Sequence, residues 1–320
     1  MRLVFFASLI CHLLNAQIAL PTFQAVQKTS FASSNTLTFT NCGSTGKSGP
    51  SQSDCNTEYS GTSLNGLVTV TSGIQKWTVP STATYTIETY GAEGGGSDGG
   101  KGAKMVGDFN LSEGDIIHIL VGQQGSTSNP MSTGGGGTYV VEQSGSTHTL
   151  TTHSVFVTPL IISGGGGGSS DSSTDTQNGT TSNSGQTGYG GWGSPKNGGS
   201  NGNGGSGTGG NGGGGGGGGF LSNGSGYSGG KSFLNGGTGG VRTQGSAGID
   251  GSFGGGGGAR NNGGSFFGGG AGGGYSGGGG ACGTSSAEDN GGGGGSYNSG
   301  SNTSGVTGSN SGHGKVIISW

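Results

Sequence analysis

The chain has 320 residues, of which 88 are glycine, 26% are hydrophobic and 8% are charged, with a formal net charge of -3. No basic or acidic run occurs, so nothing electrostatic argues for nucleic acid or an anionic membrane as a partner. Spread evenly, so few apolar residues could not offset the entropy of ordering the chain, so their clustering decides what folds.

The N-terminus reads as a targeting segment. Met1-Arg2 gives one positive charge, and Leu3 to Leu14 is a short apolar run ending near Asn15-Ala16. About 12 apolar residues fall short of the roughly 20 a membrane helix needs, so residues 1–16 are expected to be a cleaved secretory signal peptide. No later stretch is long and apolar enough to span a bilayer, and a secreted, extracellular chain is expected. Residues 17–36 form a polar lead-in.

Cysteine usage fits that compartment. Cys11 lies in the signal, leaving Cys42, Cys55 and Cys282. Cys42 and Cys55 close a short Gly- and Ser-rich loop and are expected to form a disulfide. Metal binding competes poorly, because no second Cys or His pair stands nearby. Cys282 is left over as a free thiol or an intermolecular link, so oligomerisation stays open. Asn110, Asn178, Asn223 and Asn302 each begin an Asn-X-Ser/Thr sequon and are candidate glycosylation sites.

Short β-type runs then follow one another. They are Leu37 to Thr40, Leu67 to Val70, Ile74 to Val79, Thr84 to Tyr90, Lys104 to Leu111, Asp115 to Val121, Thr138 to Val141, Val155 to Ile162 and Lys315 to Trp320. In the third, Gln75, Trp77 and Val79 share one side and Ile74, Lys76 and Thr78 the other. Turn signals at Pro80-Ser81, Gly91, Ser112 to Asp115 and Gly122 to Gly125 separate the runs. No helical period is sustained. The pattern predicts an all-β antiparallel sandwich. Its last strand returns to the same sheet after a long insertion. The expected division is residues 37–163 with 313–320 as the sandwich and 164–312 as a glycine-rich inserted domain.

Composition leaves several readings of that insertion. A flexible linker is the plainest. Collagen is excluded, since no Gly-X-Y period holds. RNA-binding glycine-rich segments need arginines, and only Arg242 and Arg260 occur here. A packed bundle of extended glycine helices is the remaining reading. Without Cβ atoms such segments can lie close and bond sideways through their amides and carbonyls.

No catalytic residue, cofactor site or metal site is expected. Gly-X-Gly-X-X-Gly recurs by chance in glycine runs. Gly230-Lys231-Ser232 has Ser225 where a phosphate loop needs glycine. His12, His118, His148, His153 and His313 have no metal-ligand spacing. Asp108, Glu113 and Asp115 read as a solvated hairpin. Kinase elements are absent from these residues.

Several segments in order resemble the membrane-distal region of the anaplastic lymphoma kinase and leukocyte tyrosine kinase receptors. They include Phe39-Thr40-Asn41-Cys42-Gly43, Gly73-Ile74-Gln75-Lys76-Trp77-Thr78-Val79-Pro80 and Tyr85-Thr86-Ile87-Glu88-Thr89-Tyr90-Gly91-Ala92. Ile119-Leu120-Val121-Gly122-Gln123-Gln124-Gly125, Pro159-Leu160-Ile161-Ile162-Ser163-Gly164 and His313-Gly314-Lys315-Val316 extend the series. The resemblance implies a tumour-necrosis-factor-like jelly roll joined to a polyglycine type II helix bundle. It implies a secreted or cell-surface recognition module with an extracellular protein partner, and it identifies no ligand-contact residue. Two alternatives stand beside it: a fragment of a receptor tyrosine kinase, and an extracellular structural protein.

Overall fold

The computed structural model describes residues 35–128, 131–144, 157–169, 175–189, 195–209, 212–242, 248–261, 267–281 and 289–320. The expectations for the signal peptide, Cys11 and Cys282 fall outside them. In chain order the elements are β1 (Thr36–Phe39), α1 (Gln52–Glu58), β2 (Thr69–Thr71), β3 (Ile74–Thr78), β4 (Ala83–Tyr90), β5 (Gly102–Leu111) and β6 (Ile116–Leu120). Next come β7 (Thr127–Ser128), β8 (Met131–Ser132), β9 (Thr138–Gln143), β10 (Val157–Ser163), β11 (Gly248–Ile249), β12 (Ala259–Asn261) and β13 (Phe267–Gly268). The last three are β14 (Tyr297–Asn298), β15 (Ser301–Asn310) and β16 (Lys315–Ser319).

Two antiparallel sheets carry the architecture. The first runs β1-β16-β4-β5-β15 and the second β14-β10-β9-β6-β3-β2. The period-two pattern explains their shared core. Leu37, Phe39, Tyr85, Ile87, Val316 and Ile318 of the first sheet meet Trp77, Ile117, Ile119, Val140 and Ile161 of the second. Trp77 packs edge-on against Phe39 and Tyr85, both at 6.1 Å. Each such ring contributes roughly 1.5–3 kcal/mol on burial. As expected from apolar side chains that have no partners in the glycine runs, β16 returns to the first sheet, between β1 and β4. The turn at Ser112 to Asp115 closes no hairpin; it carries the chain from β5 in one sheet to β6 in the other.

The centre of the second sheet is buried on both faces, while Lys76 and Thr78 on the outer side of β3 stay exposed. Its outer residues Ile74, Leu120, Tyr139, Val141 and Ile162 pack with Phe220, Phe233 and Phe253 from the glycine-rich region. That is why Thr138 to Val141 are all buried and β9 shows no alternation. Phe233 stacks on Phe220 at 5.5 Å and packs tilted against Tyr139 at 5.3 Å.

Among the glycines, hydrogen bonds rotate with a period of three. Gly214 and Gly217 donate to Ala281 and Gly278, Gly215 and Gly218 to Gly258 and Gly255, and Gly216 and Gly219 to Ser225 and Ser222. The segment beginning at Gly269 does the same: Gly269 and Gly272 donate to Asp289 and Gly292, Gly270 and Gly273 to Ser132 and Gly135, and Ala271 and Gly274 to Gly215 and Gly218. Each segment is thus bonded sideways to three neighbours, which satisfies buried amides that no helix or sheet ladder serves. Loops of the sandwich at Ala92 and at Ser132 to Gly137 join this network.

Two kinds of element differ from the sequence pattern. The helix α1 has seven residues, too few to show a period. Its signal is the Ser51/Asp54 capping box, in which each side chain bonds the other's backbone N–H. Of the edge strands, β14 is only Tyr297-Asn298 and β15 is built from Ser, Asn, Thr and Gly around a single Val306; neither carries an apolar alternation. They form because β10 and β5 offer backbone partners.

Candidate functional site

With the centre of the second sheet covered, the first sheet presents the open face of the sandwich. Strand alternation sends Tyr85, Ile87 and Thr89 inward and leaves Thr84, Thr86, Glu88 and Tyr90 on the outer side. Register then sets their neighbours. Tyr90 lies opposite Lys104 and Lys315, Glu88 opposite Val106, Thr86 opposite Asp108 and Thr84 opposite Asn110.

At one end of this face a charged cluster surrounds Tyr90. The Lys104 ammonium lies 2.7 Å from Glu88 Oε2. The Tyr90 hydroxyl donates to the same oxygen at 2.7 Å. Lys104 and Lys315 sit over the Tyr90 ring at 5.1 Å and 4.6 Å from its centroid. The Lys104 hydrogen bond holds the Glu88 carboxyl below the usual carboxylate range, and the same bond raises Lys104. Burial pushes the Tyr90 phenol up. The tyrosine therefore stays a neutral donor beside a carboxylate and two ammonium groups. Lys315 makes no ion pair among the described residues, so its charge is available to an incoming anion.

The other end of the face is polar. Asp108 accepts from Asn302 Nδ2 at 2.8 Å and from Thr86 Oγ1 at 2.7 Å. These bonds, the Asn302 one first, lower its carboxyl. Asn110 and Asn302 are both exposed here.

Beyond the cluster, the β15–β16 turn is pinned to two loops. The His313 Nδ1 accepts from the Gln124 N–H at 3.0 Å. Glu93 accepts from Gln124 Nε2 at 3.0 Å and from the Gly312 N–H at 2.9 Å. Half-burial pushes the His313 imidazole down.

Cys42 and Cys55 form a disulfide with Cα atoms 4.9 Å apart. It ties β1 to α1 beside a buried relay in which Tyr59 donates to Gln75 at 2.7 Å and Gln75 donates to the Thr40 carbonyl at 2.7 Å. His118 is buried with Nε2 at 3.0 Å from Gln143. Among the described residues no group of three His, Cys, Asp or Glu could hold a metal. A cleft near 470 Å³ is lined by Leu37, Leu67, Trp77, Pro80 and Trp320 together with the polar Asn35, Thr36, Ser63 and Thr78. No helix of the described residues is long and apolar enough to cross a membrane.

Sequence reasoning found the disulfide from loop spacing. It missed the Tyr90 cluster, although the alternation of Glu88 with Tyr90 was legible; the partners Lys104 and Lys315 come together only through sheet register.

No family model matches the chain. It is 39% identical over 107 residues to the leukocyte tyrosine kinase receptor of Mus musculus, a match covering 29% of this chain and 11% of that receptor. The chain is therefore related to that receptor family over part of its length, and it spans about a tenth of the receptor it matches.

Proposed function

We propose that this chain is a non-enzymatic extracellular recognition module, secreted or held at the cell surface, which binds an extracellular protein partner through the open face of its first sheet. The observation that carries the reading is the asymmetry of the sandwich. The centre of one outer face is buried beneath Phe220, Phe233 and Phe253, while the other presents a half-buried Tyr90 between Lys104 and Lys315. A tyrosine flanked by cations suits a partner that presents a carboxylate. The kinship with a receptor supports the extracellular setting. The residues preceding the sandwich are read as a signal peptide over 1–16 and a lead-in.

The same proposal takes 37–163 with 313–320 as a tumour-necrosis-factor-like sandwich and 164–312 as an insertion whose glycine runs pack as polyglycine type II helices and whose last strands, β14 and β15, extend the edges of the two sheets. The period of three in the glycine hydrogen bonds supports the second part, since such a helix has three residues per turn. An insertion anchored on the sandwich would hold the binding face at a fixed angle.

The test is saturable binding of the purified secreted chain to cells that display the partner. Tyr90→Ala with Lys315→Glu is expected to weaken it at least tenfold, and Ser53→Ala on α1, exposed and outside this sheet, to leave it unchanged. Equal binding by both variants would remove the face from the proposal. A second reading, an outer fragment of a receptor tyrosine kinase, is favoured by the 11% coverage of the matched receptor. Sequencing the transcript beyond Trp320 decides it: an in-frame membrane span and kinase would establish that reading.

A further inference from the structure

The four sequons are equivalent in sequence, but the fold makes them unequal. We propose that Asn110 and Asn223 carry N-linked glycans and that Asn178 is closed to them. The proposal rests on the extracellular reading above. Glycan transfer joins the asparagine Nδ2 to the anomeric carbon of a lipid-diphosphate-linked oligosaccharide. The N–C bond forms, the C–O bond to the diphosphate breaks, the lipid diphosphate leaves and the amide gives up one proton. The finished fold must then leave that nitrogen a clear path to solvent.

Asn110 meets this condition. It is exposed near the end of β5, and its Oδ1 accepts from Thr84 Oγ1 on the neighbouring strand at 2.8 Å. Holding the oxygen fixes the carboxamide plane and leaves the nitrogen as the unengaged arm; Nδ2 makes no hydrogen bond among the described residues. Asn223 repeats the arrangement in a different setting. It is exposed, and its Oδ1 accepts from the Ser232 N–H at 2.9 Å and from Asn235 Nδ2 at 3.0 Å. Its own Nδ2 has no bond among the described residues.

Asn178 fails on access. Its Oδ1 is held like that of Asn110, by the Lys101 N–H at 2.9 Å, but the residue is half-buried. The Gly308 backbone lies over the same carboxamide. A single Cβ atom built on Gly308 would stand 2.6 Å from Asn178 Cγ and 2.9 Å from Nδ2. The side of the carboxamide that faces Gly308 therefore has no room for a sugar ring. Asn302 is exposed, but its Nδ2 is bonded to Asp108, and it receives no assignment.

The glycan on Asn110 bears on the binding face. Thr84 pairs with Asn110 and Tyr90 with Lys104, so the glycan stands roughly 20 Å along the strands from the Tyr90 cluster, at about 3.4 Å per residue. It shields the polar end of the sheet and leaves the charged end open.

The experiment is occupancy mapping of the full chain secreted from a eukaryotic host, by amidase release in heavy-oxygen water and peptide mass spectrometry. Full or near-full labelling is expected at Asn110 and Asn223, with none at Asn178. Asn110→Gln and Asn223→Gln should each remove one step in gel mobility, and Asn178→Gln none. A control sequon made by Glu58→Thr places Asn56, exposed on α1, in the same assay. If Asn56 is labelled while Asn110 and Asn223 are bare, or if Asn178 is labelled, the site assignment is overturned. If even Asn56 is bare, the assignment and the extracellular reading fall together.

Discussion

Gly217 faces the carbonyl of Gly272 so closely that a Cβ on Gly217 would collide with its oxygen, while the Gly217 N–H donates to Gly278 at 2.9 Å. One residue thus holds two neighbouring segments at a spacing that only a hydrogen side chain allows. Gly217→Ala is therefore expected to destabilise the fold by about 3 kcal/mol, through overpacking that backbone cannot relieve. Gly209 has nothing within 4 Å of its Cβ position, and Gly209→Ala should stay within about 0.5 kcal/mol of the parent. Denaturant midpoints of the two variants check this; equal midpoints would return the glycine region to the status of a loose linker.

Phe233 is 1% exposed between Tyr139 and Phe220. Phe233→Ala should cost about 3–5 kcal/mol, the range for a large aromatic deleted from a core. Hydrogen exchange should show faster exchange at Gly214 to Gly219, because the ring pins that region to the second sheet. Unchanged protection there would mean that the glycine segments are held by their own hydrogen bonds alone.

The Cys42–Cys55 bridge closes a short loop, with a sequence separation of 13. The chain-entropy argument gives roughly 3 kcal/mol for a loop of this size. Mild reduction, or Cys42→Ser with Cys55→Ser, should lower the melting temperature without changing the far-ultraviolet spectrum at room temperature. Thiol counting on secreted protein provides the complementary check: two free thiols at these positions would be incompatible with the bridge.

His313 supplies a pH dependence with a definite sign. Its Nδ1 accepts a backbone N–H, a bond that only an unprotonated Nδ1 can make, and burial lowers its pKa from the ordinary 6.5. Glu93, from the loop after β4, holds the same turn by accepting from Gln124 Nε2 and the Gly312 N–H. The unfolded chain binds the proton first as pH falls, so between the two pKa values it holds more protons than the folded chain. Stability is complete above about pH 6.5 and declines as pH drops through and below that value. His313→Asn should flatten this slope in melts recorded from pH 7.5 to 5. A slope unchanged by the substitution would assign the effect to other groups.

The sequence by itself determined the strands of the sandwich. Leu37, Phe39, Trp77, Tyr85 and Ile87 alternate with polar residues, Ile117, Ile119, Val316 and Ile318 lie in short β-branched runs, and a period of two sets one buried side. Loop length and compartment determined the Cys42–Cys55 pair, and β16 was legible because its apolar side chains have no partners within the glycine runs. The state of those runs was not legible, because glycine has no side chain with which to encode a neighbour. Their order depends on which carbonyl lies across from which amide, as between Gly217 and Gly278. Tertiary structure also decided that β9 is buried on both faces, that Ser- and Asn-rich β15 is a strand, and that Tyr90 stands between Lys104 and Lys315. Each of these is set by partners distant in sequence, so local pattern carried no record of them.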